Sequence, residues 1–167
     1  MFELSTDRLR LIPLEYEYLL MLKDSRIELE NALGLNESDY SFSGIYRDIR
    51  TEHIEFFIEN VQSLEDEDYR WHTNWEIVDK EHNISIGTAS FMGSPNRKGE
   101  VILGYFIAEE RRRQGFMSEA LVALSDWAIK FGKAKRVISF VENESEAVDR
   151  LLQKCGFRKE VIYVKET

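Results

Sequence analysis

The stretch Val101-Ile102-Leu103-Gly104-Tyr105-Phe106-Ile107, followed closely by Arg111-Arg112-Arg113-Gln114-Gly115-Phe116-Met117, decides the fold of this chain. The first run is typical of a buried strand, and an amphipathic helix starts at the second run and continues to Phe131. A glycine-bearing loop at a helix start directs several unpaired backbone N–H groups, and the positive end of the helix dipole, at one point. The stretch therefore predicts a strand, an anion-binding loop and a helix, with phosphate as the preferred ligand.

The spacing of this loop excludes two common phosphate sites. A P-loop needs a second glycine and a Lys followed by Ser or Thr, and a dinucleotide fingerprint needs three glycines early in a βαβ unit. The pattern Arg112-x-x-Gly115-x-Met117 resembles instead the acyl-CoA loop of the GNAT N-acetyltransferases. Two positions depart from that pattern, because Arg113 stands where many relatives carry glycine and Met117 replaces a small residue.

The resemblance extends beyond the loop and looks most like the RimJ/RimL branch, whose members acetylate protein N-termini and small amines. It includes the segments 4–14, 104–107, 115–121 and 151–157, together with Asn143. It implies an α+β (mixed α/β) fold: a GNAT-like central mixed, mostly antiparallel sheet with a parallel, splayed strand pair, flanked by helices. It also implies one domain over residues 1–167 and acetyl-CoA as co-substrate without a metal.

Cofactor-binding residues follow from the same resemblance. The backbone groups of the strand end are expected to hold the pantetheine arm, and the loop and first helical turn are expected to hold the phosphates. A contact from an Asn after the next strand is implied as well. The residues are Phe106, Ile107, Arg112, Arg113, Gln114, Gly115, Phe116, Met117, Ser118 and Asn143. The plainer alternatives are a solvated arginine cluster, core strand residues, and a helix cap at Asn143.

Three residues are candidates for the acetyl transfer itself. Glu100, at the head of the central strand, is the leading general base, and its alternative is a solvated carboxylate. Tyr105 either lines the acceptor slot or packs. Ser145 either protonates the leaving thiolate or caps a helix. Leu152 stands where other GNAT enzymes often carry a tyrosine that serves as the general acid.

Composition narrows the class of protein. The chain has 167 residues with a net charge of −9, which argues against nucleic-acid binding and agrees with a cationic amine as partner. The lone Cys155 excludes an internal disulfide and a cysteine-rich zinc site, and no apolar run is long enough to span a membrane. We therefore expect a cytoplasmic enzyme whose acceptor is a small amine or a protein N-terminus. The resemblance also implies a short sheet edge, which is either left open or covered by a second subunit in a homodimer. A non-catalytic acyl-CoA sensor is the alternative function.

Periodicity and turn residues predict the remaining elements. Residues 24–43 show no clear period, and a capping box is expected from Asn143 to Glu146. Helices are expected at 15–23, 53–61 and 147–155, and strands at 8–12, 71–77, 84–92, 100–107, 136–141 and 157–164.

Overall fold

The computed structural model describes residues 1–38, 45–62, 64, 68–141 and 145–160. Within them, six strands and five α-helices follow one another, with short 3₁₀ turns at Asp68–Trp71 and Glu109–Arg111. In chain order the elements are β1 (Leu4–Ser5), β2 (Leu9–Pro13), α1 (Tyr16–Asp24), α2 (Arg26–Ala32), α3 (Ile45–Val61), β3 (Asn74–Asp79), β4 (Ile84–Phe91), β5 (Glu100–Ile107), α4 (Phe116–Lys130), β6 (Arg136–Ile138) and α5 (Glu146–Lys154).

The six strands form one sheet in sequence order, and every neighbouring pair is antiparallel except β5 and β6. The parallel pairing of β5 and β6 extends only from Glu100 and Arg136 to Ile102 and Ile138. Beyond that point β6 ends while β5 continues to Ile107, so the two chain segments separate. We call the gap between them the wedge. This sheet confirms the expected mixed, mostly antiparallel fold with a splayed parallel pair.

The sheet buries a separate apolar cluster on each face. One cluster contains side chains of strands β2 through β5 together with side chains of α4 and α5. The other lies on the opposite face of the sheet and contains side chains of α1 and α3. Alternation along each strand produces this division, because successive side chains point to opposite faces. In β5, for example, Val101 and Leu103 belong to the α4 side and are almost fully buried.

Helix α4 is fixed against the sheet by aromatic packing. Trp127 lies 4.6 Å from Trp71, 5.2 Å from Trp75 and 5.5 Å from Phe91, measured between ring centroids. Gly132, just beyond the helix, lets Trp71 approach the backbone, since a Cβ at this glycine would lie 2.2 Å from the indole ring. The close fit sets the position of α4, and with it the position of the loop that begins this helix.

Helix α2 was missed by the sequence analysis because it depends on a buried ionic cluster rather than on a local period. Ser25 caps its N-terminus by accepting a hydrogen bond from the backbone N–H of Glu28. Arg26 pairs with the buried carboxylates of Glu30 at 3.3 Å and of Glu76 at 3.2 Å. The ionic cluster attaches α2 to β3, beside the buried Leu29, which belongs to the apolar cluster on the α1 and α3 side.

Several predicted boundaries are corrected by the structure. Strand β3 begins at Asn74 because Trp71 belongs to a 3₁₀ turn, and β6 ends at Ile138 rather than at 141. Helix α5 has Ser145 at its N-cap, so the capping box predicted from Asn143 is out of register. Residues 157–160 are not a strand, and the rest of the predicted closing strand lies outside the described residues.

Candidate cofactor site

The loop between β5 and α4 has the backbone geometry of an anion site. Helix α4 begins at Phe116, and its N-cap is Gly115 with φ of 83°, a left-handed conformation that favours glycine. Arg113 is also left-handed, with φ of 61°. Arg112 donates from Nε to the carbonyl oxygen of Ile107 at 3.2 Å, which folds the loop back onto the end of β5. We call residues 112–115 the anion loop.

A cavity of about 620 Å³ opens beside this loop. Its walls come from the end of β5, the anion loop, the first turn of α4 and one side of α5, so it occupies the mouth of the wedge. The described lining residues are Tyr105, Phe106, Ile107, Arg111, Arg112, Arg113, Gly115, Phe116, Met117, Ser118, Ser145, Ala147, Val148, Arg150, Leu151 and Lys154.

The cavity is positively charged although the protein carries a net charge of −9. Three lining cations are the consecutive arginines of the loop, and two more, Arg150 and Lys154, lie one turn apart on α5. No Asp or Glu is found among the described lining residues. Between the cations lie the apolar side chains of Val148 and Leu151. The arrangement suits a ligand with several negative charges and an apolar arm.

The pairing of β5 with β4 determines which backbone groups face the wedge. Met92 N–H donates to Ile102 and Ala108 N–H donates to Ile86, so the even-numbered residues of β5 form the hydrogen-bonded pairs with β4. Phe106 is one of these, paired with Thr88. The backbone groups of Phe106 are therefore directed at β4, although Phe106 remains one of the residues that line the cavity. The N–H and C=O groups of Tyr105 and Ile107 point toward the wedge instead.

The side chain of Tyr105 lies on the α4 face of β5, where it lines the cavity and packs against the core. Burial, and to a lesser degree the neighbouring Cys155, raises the pKa of the Tyr105 phenol above its ordinary value of 10.0. The phenol consequently keeps its proton at neutral pH and is available as a donor. Burial also raises the pKa of the Cys155 thiol.

Ser145 also lines the cavity, at the N-cap of α5. Its side chain makes no capping hydrogen bond to the helix. The hydroxyl therefore does not act as a helix cap, which was the alternative role considered from the sequence. Tyr105 and Ser145 are thus two hydroxyl groups from different elements on the wall of one cavity.

Glu100 is not brought to this site. It lies at the closed end of the parallel pair, where its carboxylate pairs with Arg136 at 3.0 Å and accepts a hydrogen bond from Asn96. Five residues separate it from Tyr105, which at about 3.3 Å per residue is roughly 16 Å along the strand. Glu100 was suggested as a general base because it begins β5, but this end of the strand is the one away from the wedge. The position of Glu100 therefore does not support a role as the base at this cavity.

Most of the predicted cofactor residues do meet at the cavity. Gln114 does not line it; its side chain donates to the carbonyl of Glu110 at 3.0 Å. Asn143 lies outside the described residues. Arg111, Arg150 and Lys154 also line the cavity, although they were not predicted from the sequence. The spacing of the last two, four residues apart on an amphipathic helix, was the available signal for a shared face.

Among the described residues, no group of three or more His, Cys, Asp or Glu side chains is placed to hold a metal ion. None of the described helices is both long enough and apolar enough to cross a bilayer.

Comparison with known proteins assigns the family. A family model described as "Acetyltransferase (GNAT) domain" matches residues 25–158. The chain belongs to this family. The resemblance noted from the sequence motifs is thereby confirmed.

Two curated relatives are both named as uncharacterized N-acetyltransferases of Bacillus subtilis. YjdG is 29% identical over 84 residues, which is 50% of this chain and 50% of that protein. YoaA is 31% identical over 86 residues, or 52% of this chain and 49% of that protein. The matched part of this chain spans about half the length of the curated relatives.

Solved structures share the fold at low sequence identity. RimL, a ribosomal-protein alpha-N-acetyltransferase solved in complex with coenzyme A, has a TM-score of 0.63 at 19% identity, covering 96% of this chain and 86% of that chain. A chimera of the spermidine N-acetyltransferase SpeG from Vibrio cholerae and hSSAT has a TM-score of 0.65 at 15% identity, covering 95% and 89%. The GNAT family and a RimL-like fold are thus shown.

Proposed function

We propose that this protein is an acetyl-CoA-dependent N-acetyltransferase that acetylates a primary amine by direct attack in a ternary complex. One observation carries the proposal: the anion loop and the wedge open into the same cavity, which has five cations and no acid among its described lining residues. Coenzyme A has this combination of phosphates and a long, largely apolar arm. Direct attack needs no thiol nucleophile, and the described lining residues include none.

The cofactor phosphates have distinct partners in this proposal. The pyrophosphate binds the N–H groups of the first turn of α4, from Gly115 onward, where the helix dipole favours an anion. Arg112 and Arg113 flank that point. Arg150 and Lys154 on α5 bind the remaining phosphate of the nucleotide, and the apolar side chains on the same helix contact the pantetheine arm.

The reacting end of the cofactor then lies in the wedge. Acetyl-CoA, when bound, supplies the thioester whose acetyl group passes to the amine. The N–H groups of Tyr105 and Ile107 point into the wedge and are fixed by strand pairing, so they stabilise negative charge on the carbonyl oxygen without reorganising. The Tyr105 phenol, protonated at neutral pH, donates its proton to the departing sulfur. Ser145 is a second donor on the opposite wall.

Deprotonation of the amine requires little from this chain if the acceptor is a protein N-terminus. An α-amino group has a pKa of about 7.7–8.0, so reaching the neutral form at pH 7 costs only about 1 kcal/mol. A wall without a described carboxylate is compatible with that acceptor. A polyamine or aminoglycoside amine, with a pKa closer to ~10, demands more help.

Acceptor, assembly and location belong to the same proposal. RimL is named as acting on a ribosomal protein and SpeG on spermidine, and the negative charge of this chain agrees with either kind of cation. We keep a protein N-terminus or a small amine as the acceptor class, with a cytoplasmic location. A homodimer is also kept as part of the proposal.

The test combines cofactor binding with turnover. Calorimetry with coenzyme A, in competition with ATP and NAD, is expected to show preference for coenzyme A. Thiol release from acetyl-CoA is then measured with peptides carrying free N-termini, with polyamines and with aminoglycosides. Release with at least one amine is expected, and Tyr105→Phe is expected to lower kcat about tenfold at unchanged coenzyme A affinity.

Each contrary result has a clear meaning. Binding without release on any amine favours the acyl-CoA sensor. Equal competition by ATP removes the cofactor assignment altogether. Tyr105→Phe with full kcat would exclude the phenol as the proton donor.

A further inference from the structure

The N-terminal hairpin reaches the anion loop through the side chain of Arg8. Arg8 lies in the turn between β1 and β2, and its Nη1 donates to the main-chain oxygen of Gln114 at 3.0 Å. Its Nε donates to Glu119, in the first turn of α4, at 2.7 Å. Its Cζ also lies over the ring of Phe116, 4.6 Å from the centroid. Arg8 therefore contacts residues on both sides of Gly115.

The turn that carries Arg8 is itself anchored on two sides. Toward α4, Glu119 accepts hydrogen bonds from the Thr6 hydroxyl at 2.5 Å and from the backbone N–H of Arg8 at 2.9 Å. Toward β3, the backbone N–H of Lys80 donates to the carbonyl of Arg8 at 2.9 Å, and the Lys80 ammonium donates to the carbonyl of Thr6. A guanidinium held this way loses little freedom when it contacts the loop.

Peptide geometry explains what the contact does to the loop. A trans peptide points its C=O and the following N–H in opposite directions. Because the Gln114 oxygen is held by Arg8, the Gly115 N–H must point away from the hairpin. Gly115 lines the cavity and Arg8 is not among the described lining residues, so that direction is toward the cavity. The contact thus orients an anion-binding donor before any ligand arrives.

Direct binding of phosphate by Arg8 is the competing interpretation. The charge of Arg8 is already paired with Glu119 through Nε, and Nη1 is occupied by the Gln114 carbonyl. The loop arginines, by contrast, do line the cavity. The geometry favours an indirect role for Arg8.

We propose that Arg8 is a positioning residue: it fixes the peptide between Gln114 and Gly115 so that the loop is ready for the cofactor phosphates. The proposal rests on the proposed function, since it names a residue that prepares the same site. Loss of Arg8 is expected to weaken cofactor binding because the loop must then be ordered on binding. The chemical step is expected to be nearly unchanged, because the bound thioester lies on β5 as before.

The experiment compares Arg8→Ala with Arg10→Ala. Arg10 is two residues further on, in β2, and also pairs with a carboxylate, Glu3, at 2.9 Å, but it makes no described contact with the loop. Arg8→Ala is expected to raise the KM for acetyl-CoA and the Kd for coenzyme A about tenfold, with kcat changed by less than about twofold. Arg10→Ala is expected to leave all three unchanged. Millimolar guanidinium is expected to restore part of the affinity of Arg8→Ala alone, and Arg8→Lys is expected to be intermediate.

The proposal is overturned if Arg8→Ala binds coenzyme A as tightly as the parent protein, or if Arg10→Ala loses as much affinity. A fall in kcat at constant KM would also overturn it. If Arg8→Ala does not fold, Arg8→Lys decides, because parental affinity there shows that the fork of the guanidinium is not needed.

A separate readout keeps this idea distinct from the proposed function. Should the parent protein bind no coenzyme A, the proposed function fails, but amide hydrogen exchange of residues 114–118 still tests the loop. Faster exchange in Arg8→Ala than in Arg10→Ala supports the positioning role, and equal exchange removes it.

Discussion

Gly115 has two reasons to be glycine, and they can be tested separately. Its φ of 83° strains any residue with a Cβ, and a Cβ there would lie 3.3 Å from the Arg8 guanidinium. We predict that Gly115→Ala costs about 1 kcal/mol of unfolding free energy through backbone strain. It is also predicted to weaken coenzyme A binding about tenfold or more, because the Arg8 contact and the Gly115 N–H are both displaced. Denaturant unfolding and calorimetry measure the two effects.

Gly34→Ala is the matched control for this prediction. Gly34 has a similar φ of 68°, but nothing lies within 4 Å of the position of its Cβ, and it is not among the described cavity residues. It is expected to show the loss of stability without the loss of affinity. Equal loss of affinity in both variants would mean that strain anywhere in the chain weakens binding, and the local role of Gly115 would be wrong.

Single residues were predicted well where they form a continuous motif and poorly where partners are distant in sequence. The loop arginines and Gly115 were found because adjacent residues form the loop. The role of Arg8 was not found, because its partners Gln114 and Glu119 lie more than a hundred residues further along the chain. Glu100 was predicted at the site only because it lies on β5. It begins that strand, whereas the cavity lies at the other end.

At the scale of elements, the first turn of α4 is linked to the β1–β2 turn by an ionised carboxylate. Burial alone would raise the pKa of Glu119, but the hydrogen bonds donated by Thr6 and Arg8 outweigh it, so the pKa lies below the ordinary value of 4.5. A depressed folded-state pKa contributes stability above pH 4.5 that is lost as the pH falls through the folded-state value. We predict that Glu119→Gln removes this part of the acid dependence. Unfolding free energies measured by denaturant between about pH 7 and pH 3 provide the comparison.

Glu146→Gln serves as the control for the acid dependence. Glu146 also lies in the first turn of a helix, but its side chain is 82% exposed, and among the described residues its ion-pair partner is Arg150 on the same helix. Its removal is expected to leave the pH dependence of stability close to that of the parent protein. If Glu119→Gln keeps the full acid dependence, the carboxylate does not link the two elements in the way described.

The elements that could be predicted from the sequence are those that a local pattern of apolar residues is enough to specify. The strand β5 was predicted with its observed bounds, and the apolar stripe of α4 ends within one residue of the prediction. Helix α2 was missed because its link to the sheet is the pair between Arg26 and the buried Glu76, which are distant in sequence and meet only in the folded protein. The early end of β6 was missed for a similar reason: the divergence from β5 is a property of the strand pair, and no residue in β6 marks it.

At the scale of the whole molecule, one sheet separates two apolar clusters, and each cluster has the sheet as one of its walls. All three tryptophans belong to the cluster on the α4 side, whereas the α1 and α3 side contains none. Tryptophan fluorescence therefore reports one face, and amide exchange of α1 reports the other. Because strands β2 and β3 contribute to both clusters, we expect the faces to unfold together as a single domain.

Coenzyme A provides the decisive version of this test, because its proposed site lies on the α4 side only. A ligand that binds the folded state at 100 times its Kd adds about 2.7 kcal/mol to the free energy of unfolding. We predict that this increment appears equally in the fluorescence transition and in the protection of α1 amides, which lie on the opposite face. An increment confined to fluorescence would show that the two faces unfold independently, since binding to one cooperative unit must stabilise every part of it. No increment in either signal would remove coenzyme A as the ligand, and with it the reason for placing the acetyl transfer in the wedge.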